Sequence, residues 1–246
     1  MQRYFIKLAY NGSNYHGWQM QNNAHSVQAE ITEKLSLLLK EKVSIVGCGR
    51  TDTGVHAREF FAHFEASEFQ ISEIDLTYKL NNFLPADIVI YNIYKVPNDF
   101  HSRFSAISRT YKYYISLVKN PFGEKTSYYF NGELDIDAMN KASLYLVDHK
   151  DFTSFSKLHT QTATNNCDIN FAQFYRVNNE LVFTITADRF LRNMVRAIVG
   201  TLVEIGKGKI TAEEMNSIIK AKDRRRAGFS VPAHGLFLEK VEYLLI

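Results

Sequence analysis

The sequence predicts an α+β fold made of two halves, residues 1–104 and 105–246, each running strand, helix, strand, strand, helix, strand. Three observations carry this. Short runs alternate apolar and polar residues with period two, longer runs carry an apolar stripe at helical spacing behind a capping residue, and the order of these runs recurs in the second half.

Taken in order, residues 3–10 set Tyr4, Ile6, Leu8 and Tyr10 on one face of a strand. Ser26 is placed to cap a helix whose Val27, Ile31, Leu35, Leu38 and Leu39 form one stripe. A short strand, Val43 to Cys48, is followed by a glycine-rich loop and a strand at 56–66. Ser72 then opens a helix that must close before Pro85, and Asp87 to Val96 reads as a strand. In the second half the expected elements are a strand at 107–118, a helix near Asp135, strands at 168–177 and 181–188, a helix from about 190 and a strand at 235–243. Thr211-Ala-Glu-Glu214 is a capping-box pattern and predicts an additional helix over 211–221. His149 to Asn166 lacks periodicity and reads as an inserted polar loop, a common carrier of function. The order is that of two ferredoxin-like units, and with no linker between them they are expected to share a central, mostly antiparallel sheet.

Composition bounds what such a chain can be. With 46% hydrophobic and 22% charged residues, 12 Gly and 4 Pro, it is an ordinary globular protein rather than a collagenous or disordered one. No apolar run approaches the roughly 18 residues of a membrane span, and Arg3 and Lys7 interrupt what would be a signal peptide, so a cytoplasmic location is expected. Cys48 and Cys167 are too few for a disulfide framework and read as reduced core thiols. The net charge of +3, from 29 basic and 26 acidic side chains, does not mark a polyanion binder; any nucleic-acid surface has to come from a local patch.

Three clusters could carry chemistry. In Gly49-Arg-Thr-Asp-Thr-Gly-Val-His-Ala57, glycines bracket Arg50 and Asp52, which either project into a cleft or belong to a solvated turn whose Asp caps backbone amides. In Phe100-His-Ser-Arg-Phe-Ser-Ala106 and Arg109-Thr-Tyr-Lys-Tyr-Tyr114, Tyr111 and Tyr113 share a strand face, as catalytic phenols or as buried hydroxyls with partners. In Arg189-Phe-Leu-Arg-Asn-Met-Val-Arg196, helical spacing would put Arg189, Arg192 and Arg196 on one face, and no acidic residue occurs over 189–203 to neutralise them. The eight histidines form no ligand pair, and there is no phosphate-binding glycine loop and no Gly-x-Ser-x-Gly elbow. What remains is carboxylate, phenol and guanidinium chemistry.

The first cluster resembles the active-site motif of the tRNA pseudouridine synthase A family, which isomerises uridines of the anticodon stem-loop at positions 38 to 40. Asn81-Asn-Phe-Leu-Pro-Ala-Asp-Ile88, His101-Ser-Arg-Phe-Ser-Ala106, Arg109-Thr-Tyr111, Asp151-Phe-Thr-Ser-Phe155, Phe190-Leu-Arg-Asn-Met-Val-Arg196 and Pro232-Ala-His-Gly-Leu236 resemble its other blocks in the same order, so nearly the whole chain is covered. Thr53, where the family commonly has Ala, and Lys150, inserted in a His-Asp-Phe run, are departures.

The resemblance implies the pseudouridine synthase fold, a homodimer, tRNA as partner, and neither metal nor organic cofactor. It makes Asp52 the nucleophile, attacking uracil C6 or ribose C1′. Arg196 is its cation, needed because burial raises a carboxyl pKa by about 3 to 5 units while a nearby arginine lowers it by about 1 to 3. Tyr111 stacks on the uracil, and Arg50 fills the space of a flipped-out base, whose extrusion costs a few kcal/mol. Arg103, Arg109, Arg189 and Arg192 become phosphate contacts, with the basic run 222–226 behind them. Two other classes share parts of this pattern: a non-catalytic RNA-binding module of two RRM-like halves, which would show RNP aromatics, and an Asp-centred N-glycosidase, which would change the product's mass.

Overall fold

Alternation at the start of the chain becomes a strand buried on both faces. In the computed structural model, which describes residues 1–157 and 163–244, β1 spans Gln2–Tyr10 with Tyr4, Ile6 and Leu8 fully buried. Phe5, pointing the other way, is buried among the rings of Phe61, Phe100 and Tyr243. Helix α1, Val27–Leu39, begins where Ser26 Oγ accepts the Ala29 amide at 3.3 Å, and it turns Val27, Ile31 and Leu35 inward. Next come β2, Ile45–Gly47, and β3, His56–Ala66. Helix α2, Glu73–Phe83, is capped by Ser72 through the Asp75 amide and stops before Pro85, and β4 is Ile88–Val96. β1 pairs antiparallel with β3 and β4, and β2 with β3.

The chain divides into two compact units, Met1–Ile107 with the chain from Leu238 onward, and Ser108–Phe237. The last strand, β9, Leu236–Tyr243, therefore belongs from Leu238 on with the first unit, where it lies beside β3. The second unit contains most of β5, Ala106–Ser116, then β6, Tyr128–Tyr129, α3, Ile136–Val147, β7, Ile169–Val177, β8, Glu180–Ala187, α4, Met194–Gly206, and α5, Glu214–Ala221. β8 runs antiparallel between β5 and β7, and the two-residue β6, too short to show a period in sequence, runs parallel to β5. The result is a mixed α/β architecture whose strand pairs are mostly antiparallel.

Two expectations need correction. The helix expected from about 190 starts at Met194, because Asp188 ends β8 by accepting the Asp168 and Arg189 amides at 2.7 Å and a turn closed by Met194 N–H to Leu191 O follows. Asn193 sits in that turn at φ 66°, a left-handed conformation that a helix cannot contain. Arg189 and Arg192 therefore lie in a connection, and only Arg196 is on the helix. The His149 to Asn166 insertion, read as polar, anchors itself with Phe152 and Phe155, both fully buried around a 3-10 turn at Thr153–Phe155; residues 158–162 of it lie outside the described residues. At α5 the capping box forms its backward half, Glu214 accepting the Thr211 amide at 2.6 Å, although the helix itself begins at Glu214.

Both cysteines are buried and unpaired with each other, and burial pushes the Cys167 thiol up to about 12. Helix α4 is buried over most of its circumference, and segment 228–232 lies directly against it: Gly228 N–H donates to Thr201 Oγ1 at 2.8 Å. A Cβ on Gly200 would lie 1.8 Å from the Phe229 carbonyl oxygen. Because the obstacle is backbone, Gly200→Ala is expected to cost about 3 kcal/mol or more. Gly49→Ala, with open space around it, should stay within about 0.5 kcal/mol. Urea unfolding of the two variants checks the difference; equal midpoints would refute the packing argument.

Candidate active site

Asp52 occupies the loop between β2 and β3, and its surroundings in the first unit explain why the loop has one shape. Thr51, just before it, is buried, with Oγ1 2.8 Å from the Tyr10 hydroxyl and its carbonyl accepting the Trp18 amide at 3.3 Å. Asp52 O accepts the Val55 amide at 3.1 Å, closing a turn in which Gly54 takes φ 77°. Of the three glycines around the motif only Gly54 is there for its conformation. Gly47 is there for space, since a Cβ would lie 2.5 Å from Trp18 Nε1. Asp52 is half-buried, Arg50 and Thr53 are exposed, and the exposure of Thr53 explains why the turn accepts it in place of Ala.

Beneath this loop runs segment 11–18, to which the sequence assigns no element. A Cβ on Gly12 would lie 2.0 Å from Val55 O, and one on Gly17, at φ 87°, 2.4 Å from Thr51 O, so the two backbones touch. His56, the motif's histidine, accepts the Gly12 amide at Nδ1 (3.0 Å) and is thereby fixed as a buried acceptor. The segment is held in turn by Asp87: its carboxylate accepts from the Tyr15 hydroxyl at 2.5 Å and Asn14 Nδ2 at 2.9 Å, and its carbonyl accepts the Asn11 amide. Burial, then this hydrogen bond, raises the Tyr15 pKa well above the usual phenol value. The Asn81–Ile88 block is thus a buttress. Asn81 itself brackets Ile90, accepting its amide and donating to its carbonyl at 2.8 Å each.

The second unit gathers Tyr111, Arg109 and Arg189 at one end of its sheet. Arg109 Nη1 donates to Asp188 O at 2.7 Å, and Asp188 in turn holds the Arg189 amide. Tyr111 is half-buried, its ring edge-on to Phe190 with centroids 5.1 Å apart. Tyr113 is the wholly buried member of the pair: its hydroxyl donates to Pro232 O at 2.8 Å and desolvation raises its pKa far above the ordinary value. Arg196, in the first turn of α4, is half-buried; Nε donates to Val231 O at 2.7 Å and its carbonyl accepts the Val231 amide at 3.2 Å. Arg192 is exposed, and its carbonyl accepts the Lys157 amide. Arg103 is exposed in the first unit.

Within the first unit, then, Arg50 and Asp52 share one braced loop while Arg103 stands on the turn before β5. The 222–226 run is largely committed elsewhere. Arg224 donates to the carbonyls of Ala227 and Gly228 and to Ser230 Oγ, Arg225 pairs with Asp223 at 2.7 Å, and Lys222 pairs with Asp151 at 2.9 Å. Among the described residues no group of three or more His, Cys, Asp or Glu side chains could hold a metal ion.

The family model described as tRNA pseudouridine synthase matches residues 7–105 and 142–244. A Parabacteroides distasonis protein named tRNA pseudouridine synthase A is 53% identical over 243 residues, covering 99% of this chain and 96% of its own. Relatives of the same name from Bacteroides thetaiotaomicron, 50% identical over 99% of this chain and 91% of theirs, and Clostridium acetobutylicum, 40% identical over 99% and 100%, span the same length.

Bracing of the Asp52 loop by Tyr10 is testable by a double-mutant cycle. Tyr10→Phe and Thr51→Val should each cost about 0.5 to 1.5 kcal/mol, because each removes the buried hydrogen bond between the two hydroxyls. The double variant should cost clearly less than the sum. Additive losses in urea unfolding would show that this hydrogen bond does not hold the loop.

Proposed function

The chain belongs to the tRNA pseudouridine synthase family, and from that premise we propose that it isomerises uridines of the tRNA anticodon stem-loop to pseudouridine with Asp52 as nucleophile. One observation carries the assignment of the nucleophile. Asp52 is half-buried at a loop whose preceding residue is clamped through side chain and carbonyl, so a carboxylate is presented on a support that does not move with it. Preorganisation of this kind is what covalent catalysis needs, since the reacting atoms must be held within a few tenths of an ångström.

The carboxylate attacks C6 of the uracil or C1′ of its ribose. By either route the C1′–N1 bond breaks, the base turns, a C5–C1′ bond forms, the bond to Asp52 breaks and returns the free carboxylate, C5 loses its proton and N1 gains one. Product and substrate are isomers, so the reaction consumes no co-reactant and the reading assigns no metal or organic cofactor. A paired uridine has to leave its stack first. Arg50, exposed two residues from Asp52, is proposed to occupy the vacated space. Tyr111 is proposed to stack on the uracil; Phe190, edge-on to its ring, supports that role by fixing the plane of the phenol. Arg196 is proposed as the catalytic cation, and its bond to Val231 O supports this because it sets the direction of the guanidinium.

Arg103, Arg109, Arg189 and Arg192 are proposed phosphate contacts. The link from Arg109 through Asp188 to Arg189 supports two of them acting from one place. The finer fold reading is that the sequence halves 1–104 and 105–246 are ferredoxin-like halves of the pseudouridine synthase fold, supported by the βαββαβ order of β1 to β4 and by its recurrence in the second half, where the short β6 and α5 are additions. We read the protein as a cytoplasmic homodimer on the same resemblance; among the described residues no helix is long and apolar enough to cross a membrane.

Asp52→Asn should bind unmodified tRNA as the unsubstituted protein does and lose at least about a thousandfold in single-turnover isomerisation. Appreciable turnover by the purified variant would overturn the assignment. Arg189→Ala and Arg192→Ala should each flatten the slope of log affinity against log salt by about one. An unchanged slope would remove that residue from the phosphate contacts.

A further inference from the structure

The turn over residues 100–105, in the first unit, is tied down from below and open above. Ser102 is fully buried, its amide donating to His63 Nδ1 at 3.2 Å and its carbonyl accepting from the Tyr243 hydroxyl at 2.5 Å. The Ser102 hydroxyl lies 2.8 Å from that same His63 nitrogen and 2.8 Å from Val46 O. His63 is buried, and desolvation, with the charges of His101 and Arg3 nearby, holds its pKa at about 4; Glu65 acts in the opposite direction. It is therefore a neutral acceptor across the physiological range.

Above this anchor the His101 ring is aimed by its own turn. Nδ1 accepts the amides of both Arg103 (3.0 Å) and Phe104 (3.3 Å), while the His101 amide donates to Ser105 Oγ at 2.9 Å. The His101 imidazole packs on the Phe104 ring, centroids 4.4 Å apart and tilted 37°, and the Arg103 guanidinium stands 5.4 Å from the same ring. Even with both neighbours, Phe104 is 74% exposed. A large apolar ring held in water by a rigid turn, beside a cation and on an imidazole, has the composition of a site for an unpaired base: an aromatic face, with a guanidinium for stacking or for the adjoining phosphate.

We propose that Phe104, supported by His101 and flanked by Arg103, is a stacking site for an unpaired nucleobase of the bound tRNA. The proposal rests on the functional reading above. Its physical advantage is that the turn is ordered before RNA arrives, so stacking incurs little ordering cost. His63 is a positioning residue for it, acting through Ser102.

The test measures binding of an unmodified tRNA transcript over a salt series for the unsubstituted protein, Phe104→Leu, Phe104→Trp and Arg103→Ala, with sedimentation velocity on each. Phe104→Leu keeps apolar bulk without the π face and should lose about tenfold in affinity with an unchanged salt slope. Phe104→Trp should bind within about twofold of the unsubstituted protein, and Arg103→Ala should flatten the slope by about one. If Phe104→Leu binds as the unsubstituted protein does, the stacking site is wrong. The same holds if its loss of affinity tracks a change in oligomeric state, because the ring then serves contact between copies of the chain. Pseudouridine formation by the unsubstituted protein is measured in the same preparations. If that protein neither binds nor modifies tRNA, the functional reading fails and this site falls with it, whereas activity with an unaffected Phe104→Leu removes the stacking site alone.

Discussion

Contact between the backbone of residues 12–17 and that of residues 51–55 leaves no space for a Cβ at Gly12 or Gly17, and the candidate site in the first unit depends on it. A loop held only by its own turn would sample several shapes, and a carboxylate on it would spend little time in any one of them. Here the Thr51 carbonyl takes the Trp18 amide, its hydroxyl meets Tyr10, and the Gly12 amide is received by His56. Asp87 then fixes the supporting segment through Asn11, Asn14 and Tyr15. The route from Asp87 to Asp52 is one of direct hydrogen bonds and backbone contact. It explains why residues far from Asp52 belong to the same set of motifs.

The second unit solves the same problem with a helix. α4 is apolar almost all round, and its one long charged side chain in the first turn, Arg196, is steered by the carbonyl of Val231. That carbonyl stays in place because segment 228–232 is pressed on α4 at Gly200 and Gly228 and held by Arg224, which donates to Gly228 O and Ser230 Oγ. The guanidinium of Arg224 is thereby committed to the Ala227 and Gly228 carbonyls and the Ser230 hydroxyl and is a poor candidate for RNA, although a run of three arginines suggests one by composition. Asp151, paired with Lys222 and accepting from the Thr153 hydroxyl and amide, is held below the usual carboxylate range, the hydroxyl being the first cause. It ties the inserted segment to the start of that run.

Legibility followed the range of the forces. Elements set by neighbours in sequence were readable: Ser26 and Ser72 cap the helices they were expected to open, the helix expected near Asp135 starts there with Asp135 as its cap, and β3 spans the expected residues 56–66. The start of α4 was misread because Arg189, Leu191, Arg192, Val195 and Arg196 fit a helical period. That period holds no information about Asp188 capturing two amides or about Asn193 reversing its φ. In the site, Asp52 and Arg50 were visible in their motif, whereas the support from Tyr10, Gly12 and Gly17 was not, since it arises about forty residues away by contact. The N-G-S-N and H-G-W runs were the available signal: close backbone packing supplies the reason for Gly12, and packing together with φ 87° supplies that for Gly17. Tyr113, chosen with Tyr111 by strand parity, separates from it only through Pro232, 119 residues on.

Family membership and local geometry meet in a single claim, that the half-buried Asp52 carboxylate drives a rearrangement in which nothing is added to the RNA or removed from it. The most direct measurement is to incubate the purified protein with unmodified tRNA transcript and analyse the RNA by mass and by pseudouridine-specific sequencing. Conversion of anticodon stem-loop uridines to pseudouridine, with the mass of the RNA unchanged and no free uracil released, is the result this account predicts. Release of uracil with an abasic site left behind, or binding with no modification at all, would contradict it.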